Sequence, residues 1–346
     1  MPDANITNEA FRRDIIVIGA SAGGLEPLQR ILGGLPDDLQ ASIFVVLHMG
    51  AASWLVTILD RAAALSVVAA KTGQKIEPGR IYAAVPDRHL LMHDQHILLR
   101  RGPRENLARP AIDPLFRSAA CTFGARVIGV VLSGALNDGT AGLRAIKRCG
   151  GIAIVQQPSE AAVPDMPRSA LAYADIDHVA PAGALAALLA RLAREPAGET
   201  PPIPLEIRLE AAIAAQELVG MEADEQLGRS SRFTCPECHG ALWEIDDGAL
   251  LRYRCHVGHA FTGDAVLQAQ EVQAEEMLWS LMRAHQERAA LARRMAQQER
   301  QQNRDALADQ LLQRAGGYDE DAEVVRRLLR DHMAVVAQPA DEQDGT

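Results

Sequence analysis

Short apolar segments alternate with helical patterns through the first 190 residues. Residues 15–18, 44–47 and 127–132 form continuous apolar runs, as expected for parallel strands that are covered on both faces. The segment 80–99 has the pattern of a hairpin with Pro86-Asp87 as its turn, which predicts an antiparallel edge. The whole alternation predicts a doubly wound α/β domain with a mostly parallel sheet. Strands are predicted at 14–19, 42–47, 66–70, 80–85, 95–99, 127–133 and 151–156, and helices at 24–34, 53–65, 113–124, 139–150 and 182–194.

The chain changes character after residue 195. A Pro- and Gly-rich stretch is predicted to be a linker, and a small cysteine-bearing module follows it. Gly316-Gly317 is predicted to break the helical region beyond, whose apolar cluster at 277–282 is interpreted as core. The predicted parts are a disordered N-terminus (1–12), the α/β domain (13–195), the linker (196–204), a helical connector (205–230), the cysteine module (231–263), the helical region (264–337) and a polar tail (338–346).

Composition and charge exclude several classes of protein. The chain has 346 residues, 48% of them hydrophobic and 23% charged, and this balance is typical of globular proteins. No apolar run is long enough to span a membrane, so we expect no membrane insertion. Five cysteines are an odd number, which favours the reducing cytoplasm. Residues 196–346 hold 15 basic and 27 acidic side chains, and this acidic half argues against a nucleic-acid partner.

A glycine-rich turn follows the first predicted strand and contains a candidate nucleophile. In the sequence GASAGG at 19–24, Ser21 stands at the apex of a strand-to-helix turn. The backbone N–H groups of Ala22 and Gly23, at the start of the next helix, can stabilise a developing oxyanion. A phosphate or dinucleotide loop is the competing interpretation. Ser21 replaces the second glycine of that loop, and the next strand ends in His48 instead of an acid.

Two further strand ends carry polar residues that suit the same chemistry. His48 ends the second apolar strand, and Asp138 follows the strand at 127–133. His48 could simply cap its strand, and Asp138 could be a helix N-cap. If all three lie at one sheet edge, Ser21 attacks a carbonyl, His48 takes its proton, and Asp138 holds the imidazole.

Five strings between residues 13 and 195 resemble one known family. GASAGG, VVLHM, ARPAIDPLF, LSGALNDGTAGL and VPDMPRSA are similar to the catalytic domain of the bacterial chemotaxis protein-glutamate methylesterases. The resemblance implies that Ser21, His48 and Asp138 form a catalytic triad. It implies hydrolysis of γ-glutamyl methyl esters on chemoreceptor helices, with release of methanol and often deamidation of glutamines. It also implies that Arg109 and Asp113 help to shape the active-site surface.

The chain departs from the family pattern at two kinds of position. Ala22 stands where the family usually has Thr, and Ala135 where it usually has Met, so substrate fit is expected to differ. The predicted catalytic strand begins at residue 14, so we expect no N-terminal receiver domain in this chain. We expect a separate activator instead, besides a methylated chemoreceptor or another receptor-like helical protein as substrate.

The cysteine module has the spacing of a zinc ribbon. Cys235-Pro-Glu-Cys238 and Cys255-His-Val-Gly-His259 are separated by 16 residues, and the simplest ligand set is Cys235, Cys238, Cys255 and His259. His239 and His256 are alternatives to His259, but each lies directly beside a cysteine ligand. Four protein ligands predict a structural zinc, and catalysis is expected to need no cofactor. A redox C-x-x-C pair is the weaker alternative.

Three functions remain open from the sequence alone. The first is a serine hydrolase that demethylates glutamate methyl esters. The second is a related esterase or amidase with a substrate other than a chemoreceptor, which Ala22 and Ala135 would favour. The third is a signalling scaffold that uses the ribbon and the helices.

Overall fold

The computed structural model of the protein describes residues 11–48, 54–217 and 227–336. The chain divides into two compact units, Met1–Val266 and Leu267–Thr346. Within the part of the first unit that precedes the linker, the strands are β1 Ile15–Ala20, β2 Ser42–Leu47, β3 Ser66–Ala69, β4 Arg80–Ala83, β5 His89–His93, β6 His96–Arg100, β7 Val127–Val131, β8 Ile152–Gln156 and β9 His178–Ala180. The helices are α1 Leu25–Gly33, α2 Leu55–Ala62, α3 Ile112–Phe123, α4 Thr140–Arg148, α5 Asp165–Tyr173 and α6 Ala182–Leu192, with a 3₁₀ turn at Gly124–Arg126.

Seven of these strands form one parallel sheet in the order β3-β4-β2-β1-β7-β8-β9. The central strands are apolar throughout because both faces are covered. Ile16 and Ile18 of β1 pack in a core with α1, α2 and α6, whereas Val17 packs in the opposite core with α3, α4 and α5. The predicted doubly wound, mostly parallel α/β fold is confirmed. The strand order reverses beside β1, and open α/β sheets bind ligands at such a point.

The antiparallel hairpin is present, but its turn lies elsewhere than predicted. β5 and β6 form a separate two-stranded sheet, with Asp94 at the turn in the left-handed region at φ 51°. Pro86 and Asp87 instead connect β4 of the parallel sheet to β5. The prediction therefore placed the turn one strand too early, because it missed β5.

The Pro- and Gly-rich stretch lies against the α/β domain. Arg12 pairs with Pro196, and the amide of Ala125 donates a hydrogen bond to Thr200 Oγ1 at 3.1 Å. The segment leads into α7 (Leu205–Ala214), which packs against α3. The described residues at 196–204 thus have fixed partners on the domain.

The cysteine module is a four-stranded antiparallel sheet, and we call residues 227–262 the ribbon. Its strands are β10 Gly228–Thr234, β11 Ala241–Ile245, β12 Arg252–Cys255 and β13 Ala260–Thr262. Its apolar core is small and centres on Leu242, Tyr253 and Phe261. The ribbon belongs to the same compact unit as the α/β domain. Part of the predicted connector, residues 218–226, lies outside the described residues.

Two long helices follow, α8 Gly263–Gln301 and α9 Asp305–Val336. The predicted break at Gly316-Gly317 is wrong, because both glycines lie inside α9, and the chain turns at 302–304 instead. There Asn303 adopts φ 58° and its amide donates to the Arg300 carbonyl. The cluster at 277–282 was interpreted as core, but Met277, Trp279 and Leu281 are exposed. No helix in the described ranges is long and apolar enough to cross a membrane.

Candidate active site

Ser21 lies directly beyond the end of β1 at the carboxyl edge of the parallel sheet. The Ser21 amide donates to the Ser133 carbonyl at 2.9 Å, and the Gly24 amide donates to the Ser21 carbonyl at 2.9 Å. The Ser133 hydroxyl donates to the Ala22 carbonyl at 2.8 Å, so the loop after β7 holds the loop after β1. Within this turn Gly23 adopts φ 70°, a backbone conformation that glycine reaches without steric strain. The sequence analysis did not single out Ser133, which is fully buried.

The backbone N–H groups beside Ser21 are available to a ligand. No hydrogen bond among the described residues is donated by the amide of Ala22 or of Gly23. The two groups precede α1, so the positive end of that helix adds to their attraction for an anion. Ala135 is exposed in the loop after β7, next to Gly134. A Cβ placed on Gly134 would come within 2.7 Å of the Ser21 Cβ.

His48 lies beside Ser21 because their strands are neighbours. Ala20 pairs with Leu47, and the His48 amide donates to the Ala20 carbonyl at 3.0 Å. The His48 Nε2 atom lies 2.9 Å from Asp138 Oδ2, and the two side chains are 19% and 3% exposed. Since a carboxylate oxygen only accepts, Nε2 carries the proton and Nδ1 is left as an acceptor. The Ser21 hydroxyl makes no hydrogen bond to the ring in this conformation, as is common in proteins without substrate.

Asp138 is held by donors on both of its oxygens. Oδ2 accepts from His48 and from the Ile112 amide at 2.7 Å. Oδ1 accepts from the Asn106 side chain at 3.0 Å, the Asp113 amide at 3.1 Å and the Gly139 amide at 3.0 Å. Burial alone raises the pKa of Asp138, but the hydrogen bonds outweigh it and the pKa lies below its ordinary value. Asp138 is therefore a fixed carboxylate at the N-terminus of α3.

Asp113 contacts the loop that holds Asp138, whereas Arg109 has its hydrogen-bond partners at Asp87 and Gly102. Asp113 is buried; its Oδ1 accepts from the amides of Gly139 and Gly142, and its Oδ2 accepts from Asn106. Burial, and then the neighbouring Asp138 carboxylate, raise the pKa of Asp113 to about 8. The Arg109 side chain binds Asp87 Oδ1 at 2.8 Å and the Gly102 carbonyl at 2.7 Å.

Asn106 is a site residue that the sequence analysis missed. Its amide nitrogen donates to Asp113 Oδ2 at 2.9 Å and to Asp138 Oδ1, so it bridges the two carboxyl groups. The residue adopts φ 49°, which asparagine tolerates better than most residues. In the sequence Asn106 is marked only by its position four residues before Pro110. That position does not indicate which residues its side chain contacts.

The four predicted metal ligands form one cluster in the ribbon. The ligand atoms of Cys235, Cys238, Cys255 and His259 all lie within 4.8 Å of one another. Cys238 Sγ lies 3.6 Å from Cys255 Sγ, and His259 Nδ1 lies 3.5 Å from Cys255 Sγ. A tetrahedral zinc with ordinary bond lengths needs about 3.8 Å between sulfurs and about 3.5 Å between sulfur and nitrogen.

The two alternative histidines lie outside this cluster. The His256 ring packs on Trp243 with ring centroids 3.9 Å apart, and His239 is exposed at φ 59°. The Cys235 thiol and the His259 ring lower the pKa of Cys255 to about 3, which favours the thiolate that a metal binds. The donor set of three sulfurs and one nitrogen fits zinc.

Comparisons with known proteins cover the α/β domain. The model of the CheB methylesterase family matches residues 16–189. A candidate protein-glutamate methylesterase/protein-glutamine glutaminase of Leptospira interrogans is 39% identical over 183 residues, which are 52% of this chain and 94% of that protein. Protein-glutamate methylesterase/protein-glutamine glutaminase 2 of Anaeromyxobacter dehalogenans is 37% identical over 191 residues, and the match covers 55% of its length.

A solved structure agrees with these sequence matches. The crystal structure of the Thermotoga maritima CheB methylesterase catalytic domain is 34% identical, with a TM-score of 0.51, and the match covers 52% of this chain and 98% of that one. The family model spans half of the chain and includes Ser21, His48 and Asp138. The chain belongs to the CheB methylesterase family.

Proposed function

We propose that the protein hydrolyses γ-glutamyl methyl esters on a methylated, receptor-like helical protein, with Ser21 as the nucleophile. One observation carries this proposal: the His48 ring, one strand from Ser21, is fixed by the buried Asp138 carboxylate at 2.9 Å. Membership of the CheB methylesterase family and the names of the relatives support the reaction class.

The reaction proceeds in two acyl-transfer steps. The Ser21 Oγ atom attacks the ester carbonyl carbon while His48 Nδ1 takes the hydroxyl proton. The resulting oxyanion accepts hydrogen bonds from the Ala22 and Gly23 amides. The carbon–oxygen bond to the methoxy group then breaks, and His48 returns the proton so that methanol leaves. A water molecule, deprotonated by His48, hydrolyses the glutamyl-serine ester and restores Ser21. Asp138 stays ionised and holds the imidazole throughout.

The same site suits glutamine side chains. An amide carbonyl has the geometry of the ester, and His48 would deliver its proton to ammonia as the leaving group. The relatives' names include protein-glutamine glutaminase, which supports this second activity. Ala22 and Ala135 depart from the family pattern, and they support the alternative of a related esterase or amidase with a substrate other than a chemoreceptor.

We propose further that the cluster of three cysteines and His259 holds a structural Zn²⁺. All four tetrahedral positions would be protein ligands, so the ion would supply folding energy to the ribbon and no open position for chemistry. We place the protein in the cytoplasm because chemoreceptor methylation sites are expected there and all five cysteines are free. A separate activator remains part of the proposal.

The test is methanol release from a methylated chemoreceptor cytoplasmic fragment. Wild-type protein is compared with Ser21→Ala and with the matched control Ser66→Ala, an exposed serine on β3. Loss of the activated nucleophile is expected to lower kcat on the order of 10⁶-fold, while the control keeps the wild-type rate. Release that survives in Ser21→Ala would contradict the proposed nucleophile. Cleavage of a generic acyl ester, but not of the receptor, would retain the triad and remove the proposed substrate.

A further inference from the structure

Asn106 connects the Asp138 carboxylate to the ribbon through hydrogen bonds. Its side-chain nitrogen donates to Asp138 Oδ1 and Asp113 Oδ2, and its side-chain oxygen accepts from the Thr262 amide at 3.1 Å. The backbone amide of Asn106 donates to the Ala260 carbonyl at 2.8 Å. The side-chain amide therefore has fixed partners on both sides, and those on one side belong to β13 of the ribbon.

The residue next to Asp138 is held by the same ribbon segment. Thr262 Oγ1 lies 2.5 Å from Asn137 Oδ1, and the Asn137 side-chain nitrogen donates to Asp264 Oδ2 at 2.9 Å. Asn137 and Thr262 are each 1% exposed, so water does not compete freely for the hydrogen bond between their side chains. Residues 260–264 thus hold Asn106, which contacts the Asp138 carboxylate, and Asn137, which precedes Asp138 in the chain.

This segment is connected directly to the metal-ligand cluster. Ala260 follows His259, and the Cys255 amide donates to the His259 carbonyl at 2.9 Å. We call residues 255–259, which carry two of the four predicted ligands, the knuckle. Arg254 directly precedes it and binds Glu105 at 3.2 Å, and Glu105 is the residue before Asn106. Arg254 and Glu105 are both nearly fully buried. The knuckle therefore contacts the Asn106 loop through backbone and through a buried ion pair.

Given the proposed triad, we infer that Asn106 is a positioning residue and that the metal-loaded ribbon holds it against Asp138. With the knuckle formed, β13 fixes the Asn106 amide so that it donates to the Asp138 carboxylate. Without the metal, the three cysteines and His259 are no longer bound to a common ion and no longer fix residues 255–260. Asn106 then loses its hydrogen bonds to the Ala260 carbonyl and the Thr262 amide. The Asp138 carboxylate then loses one of the three donors on Oδ1, and it holds the His48 ring less firmly through Oδ2. The ribbon would thus act on turnover and not on substrate binding.

The test uses a readout that does not depend on the substrate's identity. The rate at which a small fluorophosphonate labels Ser21 reports the activated nucleophile, and methanol release supplies kcat and KM. Asn106→Gly removes the side chain at a positive φ without backbone strain, and Asn303→Gly, at an exposed positive φ of 58°, is its control. Cys238→Ser removes one proposed metal ligand, and Cys121→Ser, a half-buried cysteine outside the cluster, is the second control.

We expect Asn106→Gly and Cys238→Ser each to lower kcat and the labelling rate by about 10-fold or more, as outer partners of a site commonly do, with KM unchanged. Zinc content is expected to fall only in Cys238→Ser. The double variant should be no slower than the slower single variant, since both act through one residue. Wild-type labelling rates in zinc-depleted Cys238→Ser, or losses that multiply in the double variant, would overturn the inference. If wild type releases no methanol from receptor but is labelled, the proposed substrate fails and the labelling rates still decide the inference. Unlabelled wild type would overturn both.

Discussion

The triad and the metal-ligand cluster each gather side chains from separate loops, but different forces hold them. Ser21, His48 and Asp138 follow strands whose residues are buried in two large apolar cores. The ribbon has a small apolar core around Leu242, Tyr253 and Phe261. A scaffold with a large core tolerates the loss of a site residue, whereas a small one needs further support, which the proposed metal and the ion pairs would supply here. Substitutions at the triad should therefore remove activity without unfolding, and substitutions in the ribbon should cost stability first.

The two regions meet at a set of buried charges, which we call the ion cluster: Glu105, Arg117, Glu210, Arg252 and Arg254. Glu210 of α7 lies 2.8 Å from Arg254 and 2.5 Å from Arg252, both in the ribbon. Arg117 of α3 contacts Glu105 and lies 3.6 Å from Glu210. Five charges at most 6% exposed join the α/β domain, α7 and the ribbon. Buried ion pairs thus attach the ribbon to the α/β domain, together with the hydrogen bonds of Asn106 and the packing of Leu107 against the ribbon core.

The largest expected effect falls on activity. Asp138→Asn should lower kcat on the order of 10⁴-fold, because an amide cannot both accept from His48 Nε2 and keep all its backbone donors. The free energy of unfolding should fall by about 1–3 kcal/mol, because a buried backbone donor loses its partner, whereas it should not fall in Asp175→Asn, an exposed control. Initial rates and thermal melts of the two variants provide the measurement. An Asp138→Asn protein with a wild-type rate would show that Asp138 serves only as a helix cap.

The next effect falls on stability. Glu210→Gln leaves the arginines of the ion cluster without their shared carboxylate, and we expect a loss of about 3–5 kcal/mol in the free energy of unfolding. Glu206→Gln, on the same helix but partly exposed, should cost less than about 1 kcal/mol. Urea unfolding measures both. Equal losses would mean that the ion cluster contributes no more than a surface pair.

Wild type and Glu210→Gln together test the pH dependence. Burial alone raises the pKa of Glu210, but Arg252, Arg117 and Arg254 together hold it well below its usual range. A carboxyl group with a depressed folded-state pKa stabilises the fold above its unfolded-state pKa, and this contribution is lost as the pH falls through the folded-state pKa. The urea midpoint of the wild type should therefore fall more steeply below about pH 4.5 than that of Glu210→Gln. Parallel pH profiles would contradict the ionised state of Glu210.

A smaller effect is expected at Gly134. A Cβ there would lie 2.1 Å from the Met166 sulfur and 2.7 Å from the Ser21 Cβ, so the loop must shift the nucleophile. Gly134→Ala should cost about 1–3 kcal/mol of stability and lower kcat about 10-fold or more. Gly183→Ala in α6 is the control, since its Cβ meets only Arg30 Cδ, at 4.0 Å. Unchanged kcat in Gly134→Ala would show that Ser21 does not depend on this contact.

The smallest effect concerns α9. A Cβ at Gly316 or Gly317 meets no atom within 4 Å, and both residues are helical. Gly316→Ala should therefore stabilise the helix by about 0.5–1 kcal/mol. A rise in the thermal midpoint of the helical unit is the measurement. A loss of stability would support the break that the sequence predicted there.

The sequence predicted the elements whose signal is local. Continuous apolar runs gave β2 with its observed ends and β1 to within one residue, and the C-x-x-C and C-x₃-H spacings singled out the residues that form the ligand cluster. The elements β5, α5 and β9 were not predicted. Their packing comes from distant partners: β5 packs on α3, and α5 on β8 and α4.

The missed site residue has the same physical explanation. Asn106 acquires its role from contacts 7, 32 and 156 residues away along the chain, to Asp113, Asp138 and Thr262. No periodicity or short motif records such contacts. Likewise, glycine commonly follows the end of a helix, but α9 continues through Gly316 and Gly317.

The central claim is that Ser21 is an activated nucleophile served by His48 and Asp138. The most direct measurement is peptide mapping by tandem mass spectrometry after treatment with a fluorophosphonate, in wild type, His48→Ala and the exposed control His96→Ala. The account predicts one added phosphonyl group on Ser21 in wild type and His96→Ala, and almost none in His48→Ala in the same time. A label on Ser133 or another residue, or equal labelling in His48→Ala, would contradict it.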